Sequence, residues 1–231
     1  MLSINQPYFF PNLGYFLLIK NSNKHVFLND VNMKKKSWIT RNKFTDEDTF
    51  YSLKLHKLSQ NRKIFDHLIV EPEKQLNEFI QYFTSTNKKD AFIDDTLKIL
   101  IKVTRTLEPE MKISDFNEKS VKIICEALSI KTKFYSSAEL DFDSNVRGSD
   151  RLILISHLLK DYNYLNLESG IELYDQDYFK SKGVSLFFNT ASTVEYPSNY
   201  NGHYKSILKI ISKFGITNTK YILETIGALY E

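Results

Sequence analysis

The sequence predicts an α/β fold built on a mostly parallel sheet. Near both ends of the 231-residue chain, short apolar segments that end abruptly in polar residues alternate with segments of helix length. This alternation is typical of βαβ units, in which successive strands lie parallel in one sheet. Between these two regions, apolar residues recur at helical spacing, which predicts a helical middle segment.

The first 70 residues predict a strand, a short helix at 13–20 and a second strand at 26–28. A run of three lysines at 34–36 follows. Beyond it, polar and apolar residues alternate in three stretches, which predicts short, partly antiparallel strands at 37–44, 50–55 and 64–70.

From Pro72 the apolar period becomes helical, and Pro72 itself suits a first helical turn. The middle helices are predicted from Pro72 onward and at 94–107 and 116–128, with Ser114 and Asn117 as possible N-caps. Strands are then predicted at 132–135, 162–167 and 184–188, and helices at 150–160, 175–182, 203–214 and 219–229. The prediction is one Rossmann-like domain over 1–231, with flanking helices, a small antiparallel insertion and a helical subregion at about 72–128.

Composition excludes several classes of protein. The 31 basic and 28 acidic residues leave a formal charge of +3, an excess too small and too dispersed to imply nucleic-acid binding, and DNA is not an expected partner. The lone Cys125 lies in a helix-like run and is expected to be a buried thiol. No apolar stretch reaches the roughly 20 residues of a membrane span, and no signal-peptide pattern is present, so a cytoplasmic protein is expected.

Polar residues that follow the first strand predict a binding site. Carboxyl ends of neighbouring parallel strands meet at one edge of a sheet, where open α/β folds bind ligands. Gln6 lies at such an end, and its amide can contact a sugar hydroxyl or a base edge, or cap the turn. The rings of Tyr8 and Tyr15 can stack on a base or sugar, or belong to the core.

Asp30 follows the second strand, where a carboxylate can orient a ribose, hold a metal or accept a proton from an amine. Its neighbour Asn29 is a weaker cation ligand than a second carboxylate would be, so no metal site is predicted.

Several cations can bind anionic groups. The candidates are Lys36 in the lysine run, Arg41 with Asn42 beside it, Lys57 with Gln60 in a turn, and Arg151 at the start of a helix. Each also has a structural interpretation as solvated surface, an exposed turn or a surface ion pair. His203 lies at a predicted helix start and is a reserve acid or base. Walker and dinucleotide-binding glycine motifs are absent from the sequence, so its motifs alone define no mechanism.

Four segments resemble the WbqC-like family of bacterial surface-polysaccharide gene clusters. They are Gln6-Pro7-Tyr8-Phe9-Phe10-Pro11 continuing to residue 16, then 27–31, then 35–42 with Trp38, and then 57–60. Weaker similarity continues at 150–153, 164–165, Gly170 and 206–208. The chain departs from the family pattern at Asn29, where Asp is more frequent, at Lys54, where Pro is frequent, and at Asn166, where a small residue is usual.

The resemblance implies a role in O-antigen or lipopolysaccharide assembly. It implies an acyltransferase that forms an amide, with an amino-acyl or other acyl group, on the amine of a nucleotide-linked amino sugar. Gln6, Asp30, Arg41, Asn42 and Lys57 match the pattern. Without a recognisable ATP motif, the activated donor would be a thioester, a carrier-bound group or an aminoacylated RNA.

Two alternatives remain open from the residues, a nucleotidyltransferase-like enzyme and a non-catalytic glycan-assembly protein. The partners expected are the nucleotide-linked sugar, an acyl carrier and a second copy of the chain.

Overall fold

A six-stranded sheet organises the computed structural model, which describes residues 1–143, 145–189, 200–202, 204–225 and 229–230. In chain order the strands are β1 (Leu2–Asn5), β2 (Lys24–Phe27), β3 (Arg41–Asn42), β4 (Tyr51–Ser52), β5 (Lys133–Ser136), β6 (Asn163–Leu167), β7 (Ser185–Asn189) and β8 (Leu229–Tyr230). The large sheet has the order β5-β2-β1-β6-β7-β8. Its first five strands are parallel, β8 is antiparallel to β7, and β3 and β4 form a separate antiparallel pair.

Helices cover both faces of the sheet. They are α1 (Leu13–Lys20), α2 (Pro72–Asn87), α3 (Ile93–Thr104), α4 (Ile113–Ala127), α5 (Gly148–Leu158), α6 (Gln176–Ser181) and α7 (Ile207–Thr225). Helix α7 is broken at Gly215, whose φ of 81° suits glycine and where a Cβ would lie 2.9 Å from the Phe92 ring. In the described part of the chain, no helix is both long enough and apolar enough to cross a bilayer.

The two faces of the sheet belong to two apolar cores. Leu2 and Ile4 of β1 pack with α5 and α6, whereas Phe27 of β2 packs with α1, α2, α3, α4 and α7. Side chains alternate between faces along a strand, so short runs such as Leu2-Ser3-Ile4 supply both sides. Burial on both faces explains why these strands are short and rich in apolar residues.

The path of the chain reverses between β1 and β6. From β1 the chain moves outward to β2 and β5, and then returns to the opposite side of β1 for β6 and β7. Connections on the two sides therefore leave the carboxyl ends of β1 and β6 in different directions. In open α/β sheets this switch point is where a ligand crevice forms.

The structure confirms the α/β class and the small antiparallel pair, and corrects some of the predicted elements. The predicted strand at 64–70 contains a 3-10 turn, Ile64–Asp66, because Asp66 Oδ2 accepts a hydrogen bond from the Lys63 N–H (3.0 Å) and holds the backbone in a turn. Helix α4 begins at Ile113 with Lys112 as its N-cap, so Ser114 and Asn117 are not caps. Residue 229, predicted helical, lies in β8.

Candidate functional site

A cavity of about 500 Å³ opens at the switch point, at the carboxyl ends of β1 and β6. Most of the side chains that line it are aromatic rings or neutral amides. These are Tyr8, Tyr15, Trp38, Tyr164, Tyr174 and Tyr204, and Asn5, Gln6, Asn12, Asn42 and Asn166. Among the described residues that line the cavity, Lys34 is the only charged one. The cavity therefore offers stacking surfaces and hydrogen bonds with little formal charge.

Three of the lining asparagines have fixed amide orientations. The Oδ1 atom of Asn5 accepts from the Gln6 N–H at 2.8 Å, and that of Asn166 accepts from the Leu167 N–H at 2.8 Å. Asn12 caps α1 in the same manner, accepting from the Tyr15 N–H at 3.2 Å. These bonds identify the oxygen of each amide. In the described chain each Nδ2 group is left without a hydrogen-bond partner, so it can donate to a bound ligand.

Gly170 makes room for one of these amides. A Cβ on Gly170 would lie 2.8 Å from Asn166 Nδ2, closer than such atoms approach in proteins. Any other residue at this position would displace the Asn166 amide or the turn that carries Gly170. The pair Asn166 and Gly170 therefore shapes the β6 side of the cavity.

The turn after β1 is held by side chains from distant segments. Asn42 Nδ2 donates to the carbonyl oxygens of Phe9 (3.0 Å) and Phe10 (2.7 Å). Asn117 Nδ2 donates to the Pro7 and Ile39 oxygens, both at 2.9 Å. These bonds stabilise Phe10 in the left-handed region (φ 42°), which is unusual for a residue with a side chain.

A buried hydrogen-bond chain supports the floor of the cavity. Ser3 Oγ lies 2.7 Å from His25 Nδ1, His25 Nε2 lies 3.3 Å from the Tyr15 hydroxyl, and that hydroxyl donates to the Gln6 carbonyl at 3.0 Å. Complete burial lowers the pKa of His25 from 6.5 to about 3, so the imidazole is neutral. Burial also raises the pKa of Tyr15. Tyr15 therefore positions Gln6 and presents its ring to the cavity.

Asp30 lies in a buried ion pair next to β2. Its side chain is 11% exposed and that of Arg151 is 5% exposed, and Arg151 Nη2 donates to Asp30 Oδ2. Ser137 Oγ donates to the other carboxylate oxygen. Arg151 comes from α5 and Ser137 follows β5, so the cluster joins three parts of the fold. Its contacts give Asp30 a positioning role, and its predicted role as a base stays a prediction.

Glu118 is a titratable group that the sequence analysis missed. Its Oε1 accepts from Asn29 Nδ2 at 2.8 Å, and the same Asn29 amide contacts Ser136 Oγ at 2.7 Å. Burial raises the pKa of Glu118 from 4.5 to about 7, while Lys122 and the Asn29 bond oppose the shift. The helical spacing of α4 gave no signal, because Glu118 looks like one more charge on an amphipathic helix. Nowhere in the described chain do three or more His, Cys, Asp or Glu side chains converge as metal ligands.

Arg41 lies on a surface that adjoins the cavity. Its Cζ atom is 4.2 Å from the centroid of the Phe50 ring, and that ring is 5.5 Å from Trp38, which lines the cavity. Arg41 is thus at the rim and Trp38 connects the rim with the interior.

The remaining candidates are distributed more widely. Lys36 is exposed in the lysine turn with a φ of 53°. Lys57 and Gln60 are exposed in another turn, which is held where His67 Nε2 accepts from the Ser59 N–H at 3.1 Å. His203 lies outside the described residues. Of the predicted site residues, the cavity lining brings together Gln6, Tyr8, Tyr15, Trp38 and Asn42.

A second, larger groove of about 710 Å³ lies away from the sheet edge. It runs beside α2 and the α3–α4 connection, and four glutamates line it together with Lys74. Its glutamates would repel an anionic ligand. The larger volume of this groove therefore does not make it the better candidate site.

The strand order defines an α/β protein with a Rossmann-like, mostly parallel sheet and a cavity at its switch point. The model of the WbqC-like protein family matches residues 6–220, and the chain belongs to this family. Curated proteins and solved structures give no match.

Proposed function

We propose that the protein is an N-acyltransferase that forms an amide on the amine of a nucleotide-linked amino sugar, for O-antigen or related glycan synthesis. The observation that carries the substrate class is the cavity of aromatic rings and oriented amide donors at the switch point. Membership of the WbqC-like family supports the biological setting.

The cavity chemistry suits the parts of a nucleotide-linked sugar. A base and a sugar both present flat faces, which stack on rings such as Tyr8 and Tyr174. The diphosphate and the base carbonyls are acceptors, which match the free Nδ2 donors of Asn5 and Asn166 and the ammonium of Lys34. Neutral donors bind such oxygens without adding a large charge to a partly buried site.

The proposed reaction requires little from the protein beyond alignment and proton removal. The sugar amine attacks the acyl carbonyl, an N–C bond forms, and the bond to the leaving group breaks with its electron pair. The amine proton must pass to a base, for which Asp30 is the proposed group; Asp30 lies outside the described lining of the cavity, so the proton would reach it through a water. Glu118, with a pKa near neutrality, is the second candidate.

The alternative of metal-dependent nucleotidyl transfer has less support. That chemistry commonly uses carboxylates that hold a metal against a triphosphate. The described residues that line the cavity include no Asp or Glu. A non-catalytic assembly protein would use the same aromatic surface but would give no product with any donor.

Thermal unfolding with a ligand panel tests the substrate class. Nucleotide-linked amino sugars, their hydroxyl counterparts and free nucleoside diphosphates would be compared. At a hundredfold excess over Kd, binding adds about 2.7 kcal/mol to the folded state. This corresponds to a rise in Tm of roughly 5–10 °C for a chain of this size. A rise specific to an amino sugar supports the proposal, and no rise with any nucleotide contradicts it.

Matched variants test whether the thermal shift comes from binding in the switch-point cavity. Asn5→Ala removes a cavity donor and should abolish most of the shift. Asn77→Ala removes an amide in the acidic groove and should leave the shift unchanged. Turnover, followed by the mass of the acylated sugar, should fall far more than binding in Asp30→Asn if Asp30 is the base. If Glu118 is the base, Glu118→Gln gives this pattern instead.

A further inference from the structure

A partly exposed aromatic and cationic surface continues outward from the cavity. It consists of Trp38, Arg41 and Phe50, and we call it the rim platform. Trp38 lines the cavity, and its ring lies 5.5 Å from Phe50, which is 41% exposed. The Arg41 guanidinium lies 4.2 Å above the Phe50 ring. The platform thus joins the cavity interior to the protein surface.

Four cations in or beside the platform form no ion pair in the described part of the chain. Lys34, Lys35 and Lys36 form an exposed turn that leads into Trp38, and Lys34 also lines the cavity. Neither they nor Arg41 form an ion pair with any residue in the described part of the chain. Lys43 differs, since its Nζ is 5.3 Å from the Phe50 ring but also 3.1 Å from Asp48 Oδ1. Four cations without an ion pair therefore lie in the segment 34–41, which also carries Trp38, and the Trp38 and Phe50 rings are tilted by 52° to each other.

We propose that the rim platform binds the single-stranded 3′ end of an aminoacylated RNA, which is the acyl donor. Proteins that hold single-stranded nucleic acid combine cations for the backbone with rings on which bases stack. The lysine turn and Arg41 supply the first element, and Phe50 with Trp38 supplies the second. This inference rests on the proposed acyl transfer and names the class of donor.

The chemistry of such a donor balances without a further co-reactant. The acyl group is an ester of the terminal ribose hydroxyl of the RNA. The sugar amine attacks the ester carbonyl, an amide N–C bond forms, and the ester C–O bond breaks. The ribose oxygen leaves with the electron pair and takes up a proton, while the amine nitrogen loses one. Because the ester is already activated, the step consumes no nucleoside triphosphate.

The rings favour RNA over the other donors. An acidic carrier protein would pair with the lysines and Arg41 through its carboxylates, which leave the exposed Phe50 ring without a stacking partner. A small thioester such as a coenzyme A derivative also carries phosphates and a base, but it presents a single adenine to a platform that has two rings. Two neighbouring rings beside cations without an ion pair match a strand with both bases and phosphates.

RNA binding by the whole protein can be measured directly. The probe is a 5′-fluorescein-labelled, unacylated single-stranded RNA of about 12 nucleotides that ends in CCA, within the usual site size. Loss of one stacked base contact weakens such binding about fivefold or more. Fluorescence anisotropy should show this loss for Phe50→Ala, with affinity retained in Phe50→Tyr. Arg41→Ala should reduce the slope of log K against log salt by about 0.7.

Two control variants remove an aromatic ring and a guanidinium at exposed positions outside the rim platform. Tyr221→Ala deletes a ring that is 65% exposed on α7, and Arg105→Ala deletes an exposed guanidinium after α3. Both should bind the probe as the wild type does. Circular dichroism melts would confirm that Phe50→Ala and Arg41→Ala remain folded.

Three results would overturn the proposal. They are equal affinity for a hairpin whose bases are all paired, unchanged affinity in the folded Phe50→Ala and Arg41→Ala variants, or binding of an acidic acyl-carrier protein in place of RNA. The probe carries no acyl group and no sugar is present, so this measurement is independent of the acceptor. Failure of the nucleotide-sugar thermal shift would refute the proposed function, whereas failure of RNA binding would refute the donor assignment.

Discussion

Glu118 and His25 impose opposite pH dependences on stability, and one substitution should separate them. Burial raises the pKa of Glu118 from 4.5 to about 7, so the folded state keeps a proton that the unfolded chain releases. Its stabilisation is fully present below pH 4.5 and is lost as the pH rises to about 7. Burial lowers the pKa of His25 from 6.5 to about 3, so its contribution is lost as the pH falls below 6.5.

The contributions of His25 and Glu118 to the free energy of unfolding change in opposite directions and nearly cancel between about pH 4.5 and 6.5. Each pH unit in which one group differs between states changes the free energy of unfolding by about 1.4 kcal/mol. From pH 6.5 down to 4.5, His25 removes about 3 kcal/mol and Glu118 restores a similar amount. The wild type should therefore be nearly flat there. Asp46 and Asp48, whose pKa values are lowered from 3.8, act at more acidic pH.

Glu118→Gln removes one of the two contributions and keeps an acceptor for the Asn29 amide. The variant should equal the wild type at pH 4.5 and exceed it by about 3 kcal/mol at pH 8. Urea unfolding at 25 °C, followed by circular dichroism and Trp38 fluorescence, measures this. Glu126→Gln on the same helix, at an exposed ion pair with Lys102, should change little. If the free energy of unfolding of Glu118→Gln varies with pH as little as that of the wild type, Glu118 does not contribute the pH dependence described here.

Three further predictions concern packing and the cavity. Gly170→Ala should weaken nucleotide-sugar binding in titration calorimetry but not in an Asn166→Ala background, because the clash involves the Asn166 amide; additive losses would contradict this. Arg151→Met should reduce the free energy of unfolding by about 3–5 kcal/mol, because Asp30 is left buried and unpaired. Pairing it with Asp30→Asn should recover much of the loss in the same urea assay. Cys125, 1% exposed and with a raised pKa, should resist alkylation until the protein unfolds, and fast native labelling would disprove that.

Much of the fold follows from local patterns. The strands β1, β2, β5, β6 and β7 and the helices between them were predicted because apolar period and length are local properties of sequence. The first half of the stretch at 64–70 was predicted wrongly, because its conformation depends on side-chain bonds to the backbone such as Asp66 to Lys63, whereas Ile69 in the second half does pair antiparallel with Leu55. Asn117 resembled a helix cap, but it lies within α4 and holds two turns that come from elsewhere in the chain.

The site was only half predictable. Gln6, Tyr8, Tyr15, Trp38 and Asn42 occur within 37 residues of one another, so strand-end reasoning grouped them. The other side of the cavity is formed by Tyr164, Asn166 and Tyr174, which join the site because the chain crosses back and places β6 beside β1. A local sequence pattern does not reveal which strand will be the neighbour of β1. The departure at Asn166 from the family pattern was a usable signal, since it marked a residue that shapes the cavity.

The proposed function depends on binding of a nucleotide-linked amino sugar in the switch-point cavity. A crystal structure of the complex would locate the ligand. The ligand should lie between the carboxyl ends of β1 and β6, with Nδ2 of Asn5 and Asn166 donating to its oxygens. A ligand bound in the acidic groove beside α2, or on the surface away from β1 and β6, would contradict it.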